Sequence, residues 1–130
     1  MSLLSDSRIL LVEDEYLFAT DLAQSLTEHG AEVLGPIASL TQAQQILAGE
    51  PVDAAIVDIN LQGEMAFPLL TALRDEGVPA LVISGHPVSI LPPEHRDVSF
   101  LAKPSPIGLT LQMIELLLRG EVYRSVPQDG

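Results

Sequence analysis

Short, uninterrupted apolar runs alternate with amphipathic stretches about five times along the chain, and this rhythm constrains the fold more than any other feature. The runs Ile9-Leu10-Leu11-Val12, Ala54-Ala55-Ile56-Val57 and Ala80-Leu81-Val82-Ile83 are too short for core helices. They also lack the polar alternation of a strand wetted on one side. A strand that is apolar on both faces must be covered on both faces, which is the situation of a parallel sheet between helical layers. The sequence therefore predicts a single α/β domain, and 130 residues leave no room for a second one.

The stretches between the runs carry helix signals. Phe18, Leu22 and Leu26 recur at spacing four within 15–29, and Gly30 supplies a stop. A second strand is expected over 31–37, demoted to a sheet edge by Gly35-Pro36. Ser39-Leu40-Thr41-Gln42 reads as a capping box before a helix that buries Leu40, Ala43 and Leu47 and closes near Gly49. After a loop holding Gly63, a helix is predicted over about 64–76 with Phe67, Leu70 and Leu73 inward. Pro87, Pro92 and Pro93 interrupt the pattern between 86 and 97, leaving a short, irregular or mobile connection in place of a full helix. A fifth strand is expected over 98–102. Ser105 and Pro106 are read as the N-cap and first residue of a final helix reaching about Arg119.

Open parallel sheets place their sites beyond the carboxyl ends of the strands. Here the first strand ends in Glu13-Asp14, the third in Asp58, the fourth in Ser84 and the fifth in Lys103, the single lysine of the chain. Each residue alone has a bland reading: an acid after a strand is commonly a solvated loop residue or a helix cap, and Ser84-Gly85 a turn. Their joint placement at four strand ends of one sheet outweighs those readings. Three carboxylates that converge repel one another and need a cation, and oxygen-only ligands suit Mg²⁺ or a similar hard ion. The chain has no cysteine, which excludes disulfides, thiolate metal sites and cysteine nucleophiles. His86 is expected at the rim of the site, His29 at a helix end and His95 exposed, none as a metal ligand.

The blocks Leu11-Val12-Glu13-Asp14-Glu15, Val57-Asp58-Ile59-Asn60-Leu61 with Gly63, Ile83-Ser84-Gly85 and Phe100-Leu101-Ala102-Lys103-Pro104 resemble, in order and spacing, the signature of the response-regulator receiver domain of bacterial two-component signalling. The likeness spans about Arg8 to Arg119. It implies a flavodoxin-like, doubly wound sheet of five parallel strands in order 2-1-3-4-5. It also implies that Asp58 accepts a phosphoryl group from the phosphohistidine of a sensor histidine kinase or histidine phosphotransfer protein. In that scheme Glu13, Asp14, Asp58 and the carbonyl of Asn60 hold Mg²⁺, and Lys103 neutralises charge on the transferring oxygens. Ser84 and Phe100 form the switch, and Asn60 and His86 tune loss of the phosphate. Three departures from the family pattern are Glu13 in place of the commoner Asp, Ser105-Pro106 after Lys103-Pro104 where an aromatic is frequent, and the Pro-rich segment before the fifth strand.

Such a domain is a signalling element, with at most self-phosphorylation and self-dephosphorylation, rather than an enzyme acting on external substrates. A phosphorelay shuttle or phosphate sink would use the same acceptor. An Mg²⁺-dependent aspartyl-phosphate phosphatase usually wants a second acid where Asn60 stands, and a flavin protein wants a phosphate-cradling first loop where this one is acidic. A formal charge of −12 disfavours direct binding of nucleic acid or anionic membrane. No signal or spanning pattern is visible, so a cytoplasmic protein is expected. The final helix is apolar around a wide arc (Ile107, Leu109, Leu111, Met113, Ile114, Leu116, Leu117, Leu118), more than one sheet face requires. This suggests a homodimer or partner face, or cover by Val122, Tyr123 and Val126. The domain is expected to span 1–120, with a flexible tail over 121–130 and no output domain.

Overall fold

In the computed structural model, which describes residues 3–120, five parallel strands form one sheet: β1 (Arg8–Val12), β2 (Glu32–Ile37), β3 (Ala54–Asp58), β4 (Ala80–Ser84) and β5 (Ser99–Ala102). Their order is β2-β1-β3-β4-β5, and every neighbouring pair is parallel. The apolar runs predict the parallel sheet, and the strand order is the doubly wound, flavodoxin-like one that the resemblance implies, with β2 on the edge. Four helices cover it: α1 (Tyr16–Glu28), α2 (Leu40–Gly49), α3 (Phe67–Asp75) and α4 (Ile107–Leu118). None is long and apolar enough to cross a membrane, among the described residues.

The two-residue period of a strand sorts the core into two halves. Leu10, Val12, Ala55, Val57, Val82 and Phe100 pack beneath α2 and α3, together with Leu69, Leu70 and Leu91. Ile9, Leu11, Ala54, Ile56, Leu81, Ile83 and Leu101 pack beneath α1 and α4, with Leu22, Leu26, Met113 and Ile114. Every residue of β3 is buried, as expected for the central strand, and the carboxylate of Asp58 therefore emerges from the middle of the sheet.

Ser39 caps α2 by accepting a hydrogen bond from the Gln42 N–H, as half of the predicted box. Three expectations are corrected. The helix predicted from about residue 64 begins at Phe67, because Asn60–Leu61 and Glu64–Met65 pair as a small antiparallel ribbon closed by Gln62 and Gly63, both at positive φ. That ribbon forms a sheet of its own and leaves the order of the five main strands unchanged. Ser105 does not cap α4: the N-cap is Pro106, and the Ser105 hydroxyl donates to the Ala102 carbonyl. His95 is buried rather than exposed, its Nε2 lying 3.1 Å from the Thr71 hydroxyl.

The Pro-rich segment holds only two single 3₁₀ turns, Val88–Ile90 and Pro93–His95, in place of a helix. Leu91 between them is fully buried and Arg96 donates to the Leu91 carbonyl, so the segment is pinned at its middle. On α4, Met113, Ile114 and Leu117 are buried, Ile107, Leu111, Leu116 and Leu118 are half-buried, and Leu109 is exposed. Val122, Tyr123, Val126 and the rest of 121–130 lie outside the described residues.

Candidate functional site

β1 and β3 are adjacent, with Val12 opposite Val57, so the residues that follow each strand leave the sheet side by side. Glu13, Asp14 and Asp58 meet there, and one carboxylate oxygen from each lies within 4.8 Å of the other two. Glu13 and Asp58 are buried and Asp14 half-buried. Like charges at this spacing cannot all remain ionised without a cation. A set of three oxygen donors with no nitrogen or sulfur fits a hard divalent ion.

Lys103 arrives from the end of β5. Its backbone N–H donates to the Ser84 carbonyl at 2.8 Å, continuing the ladder between β4 and β5. The side chain then spans the site: Nζ lies 2.9 Å from Glu13 Oε1 and 3.2 Å from Asp58 Oδ2, and it also donates to Glu15. The Phe18 ring stands beside it, 5.2 Å from Nζ to the ring centre. Burial disfavours the ammonium form, but the hydrogen bonds to Glu15 and Glu13 outweigh it, so Lys103 is held above the usual lysine range. Glu13 is displaced the other way from an ordinary carboxylate. Burial raises its pKa to about 7, against the lowering effects of the Glu15 N–H and Lys103.

The ribbon after β3 holds the acids in place. Asn60 N–H donates to Asp58 Oδ1 at 3.2 Å, Gln62 N–H to Asp14 Oδ2 at 2.9 Å, and Gly63 N–H to Asn60 Oδ1 at 2.7 Å. Ser84 is fully buried and its hydroxyl accepts from the His86 N–H at 2.9 Å. Phe100 is buried on the α2/α3 side of the sheet, while His86 is exposed. The fold thus gathers Glu13, Asp14, Asp58, Asn60 and Lys103 through direct bonds or contacts, with Ser84 and His86 joined in the neighbouring loop. Glu15 and Gln62 are the residues that strand-end reasoning passed over. Glu15 stood within the motif quoted from the sequence, whereas the role of Gln62 depends on a turn with φ of 54°, which a non-glycine residue seldom adopts.

A crevice of about 390 Å³ opens beside these groups, lined by Glu15, Phe18, Gly85, Lys103, Pro104 and Ser105. A larger cavity of about 690 Å³ is lined by Asp53 and Pro79, which precede β3 and β4, and so lies at the opposite end of the sheet. It is lined by neither Lys103 nor Glu15, whereas the smaller crevice is lined by both and so adjoins the acidic cluster through Lys103.

Comparison with known proteins follows the same line. The chain is 28% identical over 116 residues to the regulatory protein VirG of Rhizobium rhizogenes, an alignment covering 85% of this chain and 48% of VirG. It is 26% identical over 113 residues to the transcriptional regulatory protein PdtaR of Mycobacterium tuberculosis, covering 84% of this chain and 55% of PdtaR. The chain therefore spans about half the length of these curated relatives. The solution structure of SdrG from Sphingomonas melonis superposes with a TM-score of 0.73 at 30% identity, covering 90% of this chain and 99% of SdrG. The family profile described as the response regulator receiver domain matches residues 9–115. With that match spanning both the sheet and the acidic cluster, the chain belongs to the response regulator receiver domain family of two-component signalling.

Proposed function

We propose that the chain is a phospho-acceptor in which Asp58 takes a phosphoryl group from the phosphohistidine of a sensor histidine kinase or histidine phosphotransfer protein, and that the phosphorylated form differs in conformation. The observation that carries this reading is the convergence of Glu13, Asp14 and Asp58 with the only lysine at the carboxyl edge of the sheet.

Asp58 is the acceptor because it comes from the central strand, at the focus of the other groups. Its Oδ1 is fixed by the Asn60 N–H and its Oδ2 faces Lys103, so the carboxylate is oriented before any donor arrives. A carboxylate is a weak nucleophile toward an anionic phosphoryl group, and the main obstacle is charge. Glu13, Asp14, Asp58 and the Asn60 carbonyl would hold Mg²⁺, which when bound offsets negative charge on the transferring oxygens. Lys103 would supply a second positive charge, its ammonium donating to a phosphoryl oxygen. Ser84, two residues before His86 in the same loop, provides a hydroxyl for another. Because the Ser84 hydroxyl also accepts from the His86 N–H, its movement toward the phosphate would carry the loop with it, and repacking of Phe100 is the accompanying change in the core. Asn60 and His86 stand two residues beyond Asp58 and Ser84, where they set water access to the phosphate.

The bond formed would be an acyl phosphate. After reaction with a small phosphodonor and Mg²⁺, treatment with neutral hydroxylamine is expected to remove the added phosphate completely. Phosphate that resists hydroxylamine would be an ester on a hydroxyl group and would refute the assignment to Asp58.

A further inference from the structure

Glu15 is the N-cap residue of α1, yet its side chain makes no cap. It turns away from the helix and accepts from Lys103, while the Glu15 backbone N–H donates to Glu13 Oε2 at 3.0 Å. The ammonium of Lys103 has three N–H groups and faces three carboxylates, those of Glu13, Asp58 and Glu15. Its donor capacity is therefore fully used before any phosphate is present. The three partners are not equivalent. Glu13 and Asp58 are buried and belong to the acidic cluster, whereas the Glu15 side chain is 62% exposed and lies outside that cluster. It also lines the crevice that opens beside Lys103.

We propose that Glu15 is a positioning residue that latches Lys103 in the resting domain and must release it when Asp58 is phosphorylated. The inference rests on the phospho-acceptor reading above. During transfer a new P–O bond forms to a carboxylate oxygen of Asp58, while the bond to the donor breaks and the leaving group keeps the electron pair. Lys103 then needs one N–H for a phosphoryl oxygen, and Glu15, exposed and free to rotate into water, is the partner that yields. A contact made in the resting state and lost in the transition state slows the step by its own worth. Exposed ion pairs are worth little, so the latch tunes the rate without abolishing it.

Three variants and two readouts test this on the full chain. With acetyl phosphate as donor and saturating Mg²⁺, Glu15→Gln is expected to be phosphorylated about two- to fivefold faster than wild type, the range an exposed ion pair provides. Glu15→Asp keeps the charge but shortens the reach, and it should accelerate the reaction similarly. Mg²⁺ affinity by calorimetry should be unchanged in both. An unchanged or slower rate in Glu15→Gln overturns the latch. So does acceleration confined to Glu15→Gln, which would assign the effect to charge at the crevice. A tenfold weaker Mg²⁺ affinity would make Glu15 a metal ligand instead.

The second readout needs no phosphate. Lys103 is the only lysine, so ¹⁵N-lysine labelling gives one ammonium signal. Hydrogen exchange of that signal in the metal-free protein should be at least twofold faster in Glu15→Gln, with Glu28→Gln on the far end of α1 as an unaffected control. Equal exchange rates overturn the resting contact. Faster exchange together with a wild-type chain that no donor phosphorylates would instead refute the phospho-acceptor reading and the release step, leaving the contact as structural only.

Discussion

Glu13 holds a carboxyl group whose pKa burial raises from 4.5 to about 7, and this has a definite consequence for stability. Between those values the folded chain keeps a proton that the unfolded chain has released, so the stability contributed at Glu13 is present below pH 4.5 and is lost as pH rises through 7. Glu13→Gln, which imitates the protonated form, should match wild type near pH 5 and exceed it by about 2 kcal/mol above pH 7.5 in urea unfolding without metal. A gap of the same size at both pH values would contradict this origin. A bound divalent ion competes for the same oxygen, so Mg²⁺ affinity should strengthen as pH rises through the same interval and level off above it. At this scale the sequence was informative about Glu13, Asp14, Asp58, Ser84 and Lys103, because each follows directly from an apolar run whose end could be located. Glu15 and Gln62 were not legible as parts of the site. Their roles depend on how a loop turns and on which of several nearby acids a long ammonium side chain meets. His95 was misjudged for a related reason: a polar residue among prolines reads as solvated, and only the fold shows Thr71 beside it.

Among the elements, β2 contains the most demanding local geometry. Gly35 has φ of 127°, where the pairing between β1 and β2 shifts register after Leu10. A Cβ at this position would stand 2.5 Å from the Leu11 carbonyl oxygen and 2.8 Å from the Ile37 nitrogen, both backbone atoms that cannot move aside cheaply. Gly35→Ala should therefore cost about 2 kcal/mol or more. Gly49, at the end of α2, has no atom within 4 Å of a built Cβ and no positive φ. Gly49→Ala should be neutral or stabilising by up to about 1 kcal/mol. Equal effects of the two variants on the urea midpoint would contradict the contrast. The apolar runs made all five strands visible because their signal lies in consecutive residues. The ribbon at 60–65 was hidden because two-residue strands have no period, and Glu64 and Met65 are also good helix formers. The proline spacing predicted the interruption at 86–97 but gave no sign that Leu91 would anchor it.

At the scale of the whole molecule, a formal charge of −12 is spread over the surface, but the sheet edge carries its own local excess: Glu13, Glu15 and Asp58 pair with one lysine, and Asp14 joins Glu13 and Asp58 in the acidic cluster. Mg²⁺ should stabilise the folded chain specifically. At a hundredfold excess over its dissociation constant the gain is about 2.7 kcal/mol, and it should far exceed the effect of NaCl at equal ionic strength. Asp14→Asn should lose most of that Mg²⁺-dependent increment in melting temperature, and an increment unaffected by the substitution would place the ion elsewhere. The doubly wound sheet, its two core layers and the carboxyl-edge site are all consequences of one pattern, short runs apolar on both faces and ended by charge. The most direct measurement of the central claim is intact mass after incubation with acetyl phosphate, with and without Mg²⁺. Wild type is expected to gain one phosphate of about 80 Da only with Mg²⁺, and Asp58→Ala to gain none. No added mass on wild type, or undiminished labelling of Asp58→Ala, would contradict the account.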